Sequence, residues 1–235
     1  MLALGIGDHT TVKASENAGF NLLRLGGAWV KWGAPKLGTH AEVTYAFASQ
    51  SMKFPNARNC SALEPVVPVL KSSGITEFAF GEWSRVAGIN FQAVADASTA
   101  DIVIGAQKFP RGRAYSNVSY SSVNKKGARQ ISRSLICLNP DREWKLGFDG
   151  DLDVYDLRYT LIHEIGHAIG LDHPGPHGQL MSFRYHEKFR KLQAGDMAGA
   201  AALYGGPRRR TGAAAKASSS VAEKSAPRDL SLGKN

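Results

Sequence analysis

Three histidines and a glycine within eleven residues constrain this chain more than anything else in it. The stretch His163-Glu-Ile-Gly-His-Ala-Ile-Gly-Leu-Asp-His173 has the form HExxHxxGxxH. A helix brings residues four apart onto one face, so His163 and His167 can grip a single zinc ion between their imidazoles. Glu164, one position on, swings aside from that face and can serve as a base without ligating. Gly170 tolerates the positive φ that ends a helix and turns the chain back, which lets His173 reach the ion as third ligand. Three neutral nitrogens leave one tetrahedral position open, the arrangement of a catalytic and not a structural zinc site. A helix with incidental histidines would have to bury three unpartnered imidazoles, which is costly.

The remainder of the 235 residues has to house that helix. With 43% hydrophobic and 21% charged residues the chain suits one globular domain, large enough to bury a core without depending on disulfides. No apolar run approaches the roughly 20 residues that a membrane span needs. The net charge of +9 invites a nucleic-acid reading, but its distribution weakens it. Residues 207–235 carry seven basic side chains against Glu223 and Asp229, and no aromatic residue for base stacking. That segment is expected to be a disordered, solvated tail, and no specific nucleic-acid partner is expected.

Along the chain, residues 1–36 show little periodicity. Residues 42–48 (EVTYAFA) alternate as a strand, and a connection with Pro55, Pro65 and Pro68 follows. Ile75, Phe78, Ala79, Trp83 and Val86 fall at helical spacing, with Gly88 as a stop. Residues 89–94 and 101–106 read as short strands, with 114–120 and 134–138 as weaker ones. Residues 153–162 are expected to run into the histidine motif as one long helix, capped by Asp151 or Asp153. A last helix spans 194–203. Strands come first and helices late, which predicts an α+β fold.

At this point the motif resembles that of the metzincin zinc endopeptidases. Met181, eight residues beyond His173, matches the Met-turn of that clan, an apolar floor beneath the metal. Within the clan the chain is most similar to the matrixins. Tyr185 sits four after Met181, matching their specificity-pocket wall, and residues 192–205 resemble their terminal helix. The likeness spans about residues 37–206, strongly from 156 onward. It implies a zincin-like catalytic domain: a twisted mixed sheet, an active-site helix and a C-terminal helix. The expected organisation is an N-terminal extension (1–36), the catalytic domain (37–206) and the basic tail (207–235). The implied activity is hydrolysis of extended protein or peptide substrates by a zinc-activated water, with Glu164 as general base. The rival reading is a catalytically silent zinc-binding recognition module.

Some features depart from the family or stand outside the motif. Arg113 occupies the place where matrixins have a structural-zinc histidine, so one zinc is expected and not two. Cys60 follows the first strand and does not match the cysteine switch of latent matrixins. Cys60 and Cys137 form no CxxC pair; in an exported protein they are expected to join as a disulfide, in the cytosol to remain buried thiols. Asp149, Asp151 and Asp153 have the carboxylate density of a calcium loop, although the same aspartates could favour a helix N-terminus. His177 and His186 read as surface histidines. Residues 1–8 lack the basic and apolar regions of a signal peptide, yet a secreted, extracellular or periplasmic protein is expected, and a monomer.

Overall fold

The computed structural model describes residues 19–66, 74–109, 112–121, 127–175 and 177–207. Residues 208–235, with the expected disordered tail, lie outside the described residues, as do residues 1–18 and Pro68.

The central sheet follows from alternation on strands that are buried on both sides. Strands β4 (Ala41–Phe47), β7 (Ile89–Ala93) and β8 (Ile102–Ala106) are parallel, with β4 between the other two. β8, with sequence IVIGA, is buried at every position, as a central strand covered on both faces must be. Strand β10 (Arg129–Leu138) continues the sheet parallel to β8, and β9 (Ala114–Tyr120) closes that side antiparallel to β10. Side chains two apart share a face. Val43, Tyr45, Ile102, Ile104 and Ile136 therefore point to the larger core, while Ala46, Val103, Leu135 and Cys137 point to a smaller one. The matching pattern on neighbouring strands fixes the register, because a one-residue slip would send every side chain to the wrong face.

Among the described residues, three helices cover the larger core. Helix α1 (Ile75–Val86) buries Ile75, Ala79, Phe80 and Trp83, a stripe at three- and four-residue spacing. Helix α2 (Leu157–Ala168) is buried on most of its circumference and packs between α1 and β9. Helix α3 (Ala194–Tyr204) starts in a capping box between Gln193 and Asp196 and buries Ala200, Leu203 and Tyr204. Each fully buried Ile or Leu here contributes about 1.5–3 kcal/mol. The fold is thus α+β, with a mixed sheet and its helices.

Three expectations need correcting. The helix expected over 153–162 begins only at Leu157. Tyr155 and Asp156 form a short strand, β12 (Tyr155–Asp156), paired with β11 (Trp144–Lys145), and the cap is Asp156, whose carboxylate accepts from Tyr159 N–H at 2.7 Å. Asp151 and Asp153 instead stand in successive turns, each donating its N–H to the aspartate two residues earlier. The strand at 134–138 extends back to Arg129, because its first residues pair with β3 (Ala28–Lys31). Residues 19–36, whose sequence shows little periodicity, hold short strands as well. β1 (Asn21–Leu22) pairs with β13 (Leu171–Asp172), and β2 (Arg24–Leu25) turns back onto β3. Two-residue strands are too short to display alternation in a sequence. β5 (Met52–Lys53) and β6 (Ala62–Leu63) form a small hairpin beside the sheet.

Candidate active site

α2 carries His163, Glu164 and His167 into a cavity of about 720 Å³, and the chain beyond α2 brings His173 to the same place. The turn between them depends on Gly170, whose φ is +104° and whose missing Cβ would lie 2.3 Å from the Val30 carbonyl oxygen. Both facts demand glycine. The three Nε2 atoms converge: His163 to His173 is 3.1 Å, His163 to His167 3.2 Å, and His167 to His173 3.0 Å.

The ring tautomers follow from the second nitrogens. His163 Nδ1 lies 2.9 Å from the Leu180 carbonyl and His167 Nδ1 2.9 Å from the Leu171 carbonyl. A carbonyl only accepts, so each Nδ1 bears the proton and donates it, leaving the Nε2 lone pair facing the centre. Lone pairs pointed at one another repel unless a cation lies among them. Around a tetrahedral zinc with bonds of about 2.0–2.1 Å, nitrogens stand roughly 3.3 Å apart, close to the spacing found. The donor set fits zinc. Among the described residues, these histidines are the group of three potential ligands that converges.

Burial favours neutral imidazoles and an uncharged carboxyl in this site. Burial first, then the neighbouring imidazoles, hold His163 well below its ordinary pKa and bring His167 down to about 4; burial lowers His173 as well. The Glu164 carboxyl is pushed up to about 7 by burial, against the opposing pull of a hydrogen bond from Ser116. That bond, 2.8 Å from Ser116 Oγ to Glu164 Oε2, ties the carboxylate to β9.

Met181 lies buried under α2, where Gly166 makes room for it: a Cβ there would come within 2.2 Å of the Met181 sulfur. Asp196 holds this turn, accepting from the backbone N–H groups of Leu180 at 2.9 Å and Met181 at 3.0 Å. Tyr185 lines the cavity, stacks on Tyr155 with ring centroids 4.2 Å apart, and donates from its hydroxyl to Glu187 at 2.9 Å. Cys60 and Cys137 are joined in a disulfide. The bridge anchors a loop whose Arg58 and Asn59 line the cavity and donate their N–H groups to Asn117. Asp149, Asp151 and Asp153 lie away from the histidines, on an exposed loop where the Lys145 ammonium meets Asp149, the Asp151 carbonyl and Glu187. His177 and His186 face each other on the surface.

Sequence reasoning missed Ser116, the role of Asp196 as anchor of the Met181 turn, and the contribution of Leu23 and Leu25 to the cavity wall. Only Ser116 had a signal, a hydroxyl at an inward position of a strand that otherwise turns Ala114 and Val118 the same way.

The matrixin family model matches residues 39–205. The chain is a matrixin. Among curated proteins it is similar to the Metalloendoproteinase 2-MMP of Arabidopsis thaliana, at 30% identity over 180 residues, covering 71% of this chain and 46% of that protein. Metalloendoproteinase 1-MMP of the same plant is 32% identical over 134 residues, 54% of this chain and 36% of the relative. Matrix metalloproteinase-19 of Mus musculus is 33% identical over 129 residues, 54% and 24%. This matrixin spans less than half the length of each of these relatives. The match begins at residue 39, so β1, β2 and β3 lie before it. Among the described residues, no helix is long and apolar enough to cross a membrane.

Proposed function

We propose that this matrixin is a zinc-dependent endopeptidase that cleaves extended protein or peptide chains. The observation that carries the reading is the convergence of three Nε2 lone pairs beside a buried carboxyl, in one cleft walled by a sheet edge. His163, His167 and His173 would hold the metal. When bound, zinc supplies Lewis acidity, which acidifies water and polarises a carbonyl group. Glu164 takes the proton from the attacking water and returns it to the departing amine, a task suited to a carboxyl whose pKa lies near neutrality. Ser116 orients that carboxyl. β9 is paired only through β10 among the described residues, so its other edge can accept an added strand of substrate through backbone hydrogen bonds. Met181 floors the metal site, and Tyr185 with Tyr155 walls the pocket that reads a substrate side chain.

The catalytic unit is residues 37–206, with residues 19–36 laced onto it by β-pairing. The species proposed to act is a monomer. The disulfide supports an oxidising location outside the cytosol, secreted or periplasmic. Calcium at Asp149, Asp151 and Asp153 would have to displace the ammonium of Lys145.

Metal analysis and cleavage of a denatured protein substrate, with and without a zinc chelator, test the reading. One zinc per chain and chelator-sensitive cleavage are expected. Glu164→Ala should keep the zinc and cut the rate by about a hundredfold or more. Full zinc with no cleavage of any substrate by the wild-type protein would favour a silent recognition module instead.

A further inference from the structure

Residues 21–25 precede the family match, yet they form part of the cleft. β1 pairs with β13, Asn21 opposite Asp172 and Leu22 opposite Leu171. Leu23 N–H donates to the Gly170 carbonyl at 2.8 Å, and the Asn21 side-chain amide donates to the His173 carbonyl at 2.9 Å. β2 then joins β3 and, through it, the sheet. The segment is therefore fastened at one end to the loop that carries His173 and at the other to the sheet. Leu23 and Leu25, whose backbones make these anchoring bonds, are half-buried and line the cavity.

Their place along β9 can be read from its neighbours. The Arg113 guanidinium lies 4.3 Å over the Tyr155 ring, which puts the Tyr155–Tyr185 pair at the start of β9. A Cβ on Gly26 would come within 2.7 Å of the Tyr120 hydroxyl, which puts Leu25 at its end. Ser116 and Glu164 lie between. At about 3.3 Å per residue, β9 spans roughly 20 Å, so a bound extended chain would meet tyrosines at one end and leucines at the other. Val118, two residues beyond Ser116 on the same face, also lines the cavity there.

We propose that Leu23 and Leu25, with Val118, form an apolar subsite that selects a nonpolar side chain of the substrate, roughly two to four residues from the cleaved bond on the side away from Tyr185. This rests on the peptidase reading above. The segment that precedes the family's own boundaries thus acts as a specificity element.

The test profiles a peptide library with the wild type, the double variant L23S/L25S and the variant L25F. The wild type should favour Leu- or Phe-like side chains at one such position. L23S/L25S should lose that preference, with about a tenfold lower kcat/KM for peptides carrying Leu there than the wild type shows. L25F, which stays apolar but narrows the space, should shift the preference to smaller side chains, and it decides the matter alone if the double variant does not fold. An unchanged preference in the folded variants overturns the subsite. Calorimetric binding of the same peptides to these variants in the Glu164→Ala background reads the subsite without turnover. If no protein cleaves but the apolar peptides bind tenfold more weakly to L23S/L25S, the subsite stands and the peptidase reading falls.

Discussion

The hydroxyl oxygen of Ser116 lies 2.8 Å from Glu164 Oε2 and 2.8 Å from the carbonyl oxygen of the same glutamate. A hydroxyl has one proton to donate. With Glu164 ionised, Ser116 can satisfy one of these acceptors at a time. With Glu164 protonated, the carboxyl donates to Ser116 Oγ and the hydroxyl donates onward to the carbonyl, so both contacts are made at once. On the peptidase reading, Ser116 is thus a positioning residue that serves both protonation states of Glu164.

Ser116→Ala should lower kcat about tenfold with zinc content unchanged, a loss in keeping with one misoriented charge-assisted hydrogen bond. Because the Ser116 bond holds the Glu164 pKa down, its removal should move the acid limb of the rate profile to higher pH. Ser116→Thr should restore both. A profile unmoved in Ser116→Ala would remove this residue from the chemistry.

Acid should release zinc late. His167 is held at about 4 in the folded protein against an ordinary 6.5, so its neutral, ligating form persists well below the pH at which a free histidine takes a proton. Zinc retention down to about pH 5 is expected in a dialysis series. In metal-free protein the same depression means that the folded state binds fewer protons than the unfolded chain between these values. The His167 contribution to stability is therefore full above 6.5 and is lost as pH falls through about 4. Glu164, raised to about 7, acts in the opposite sense: its contribution is full below its ordinary 4.5 and is lost as pH rises through 7. Melting of the metal-free protein across pH 4 to 8 checks both limbs, and zinc release centred at 6.5 or above would contradict the first.

Asp196 is buried and accepts three backbone N–H groups, from Leu180, Met181 and Gln193. Burial raises its pKa while those bonds lower it. Asp196→Ala leaves three donors unsatisfied and frees the Leu180–Met181 turn, and should cost about 3 kcal/mol, or a fall in Tm of about 10 °C. Zinc affinity should fall with it, because the Leu180 carbonyl that fixes the His163 ring belongs to the same turn. Competition with a fluorescent chelator measures the second effect separately from the first.

The disulfide closes a loop with a sequence separation of 77 residues. On the chain-entropy account its removal in Cys60→Ser/Cys137→Ser should destabilise the protein by about 4 kcal/mol. The loop bearing Arg58 and Asn59 should loosen over β9, which faster amide exchange at those two residues would show. Equal melting of the bridged and unbridged forms would rule out the stabilising role.

The convergence of the three histidines, the glutamate beside them and the α+β class were legible in the sequence because each depends on local spacing. His163 and His167 share a helix face by helical geometry alone, and Gly170 marks the turn to His173 through the positive φ it allows. The strands at 42–48, 89–94 and 101–106 announced themselves through alternation or a fully apolar run. The start of α2 was misplaced because several aspartates could cap it, and only the pairing of β12 with β11 selects Asp156. Ser116 reaches Glu164 across a separation of 48 residues, and Asn21 reaches His173 across 152. No local pattern encodes such contacts. They arise where the register of β10 on β9 and the docking of β1 on β13 set distant backbones side by side, so the sequence determined which histidines converge, while tertiary packing alone decided what orients Glu164 and what walls the cleft.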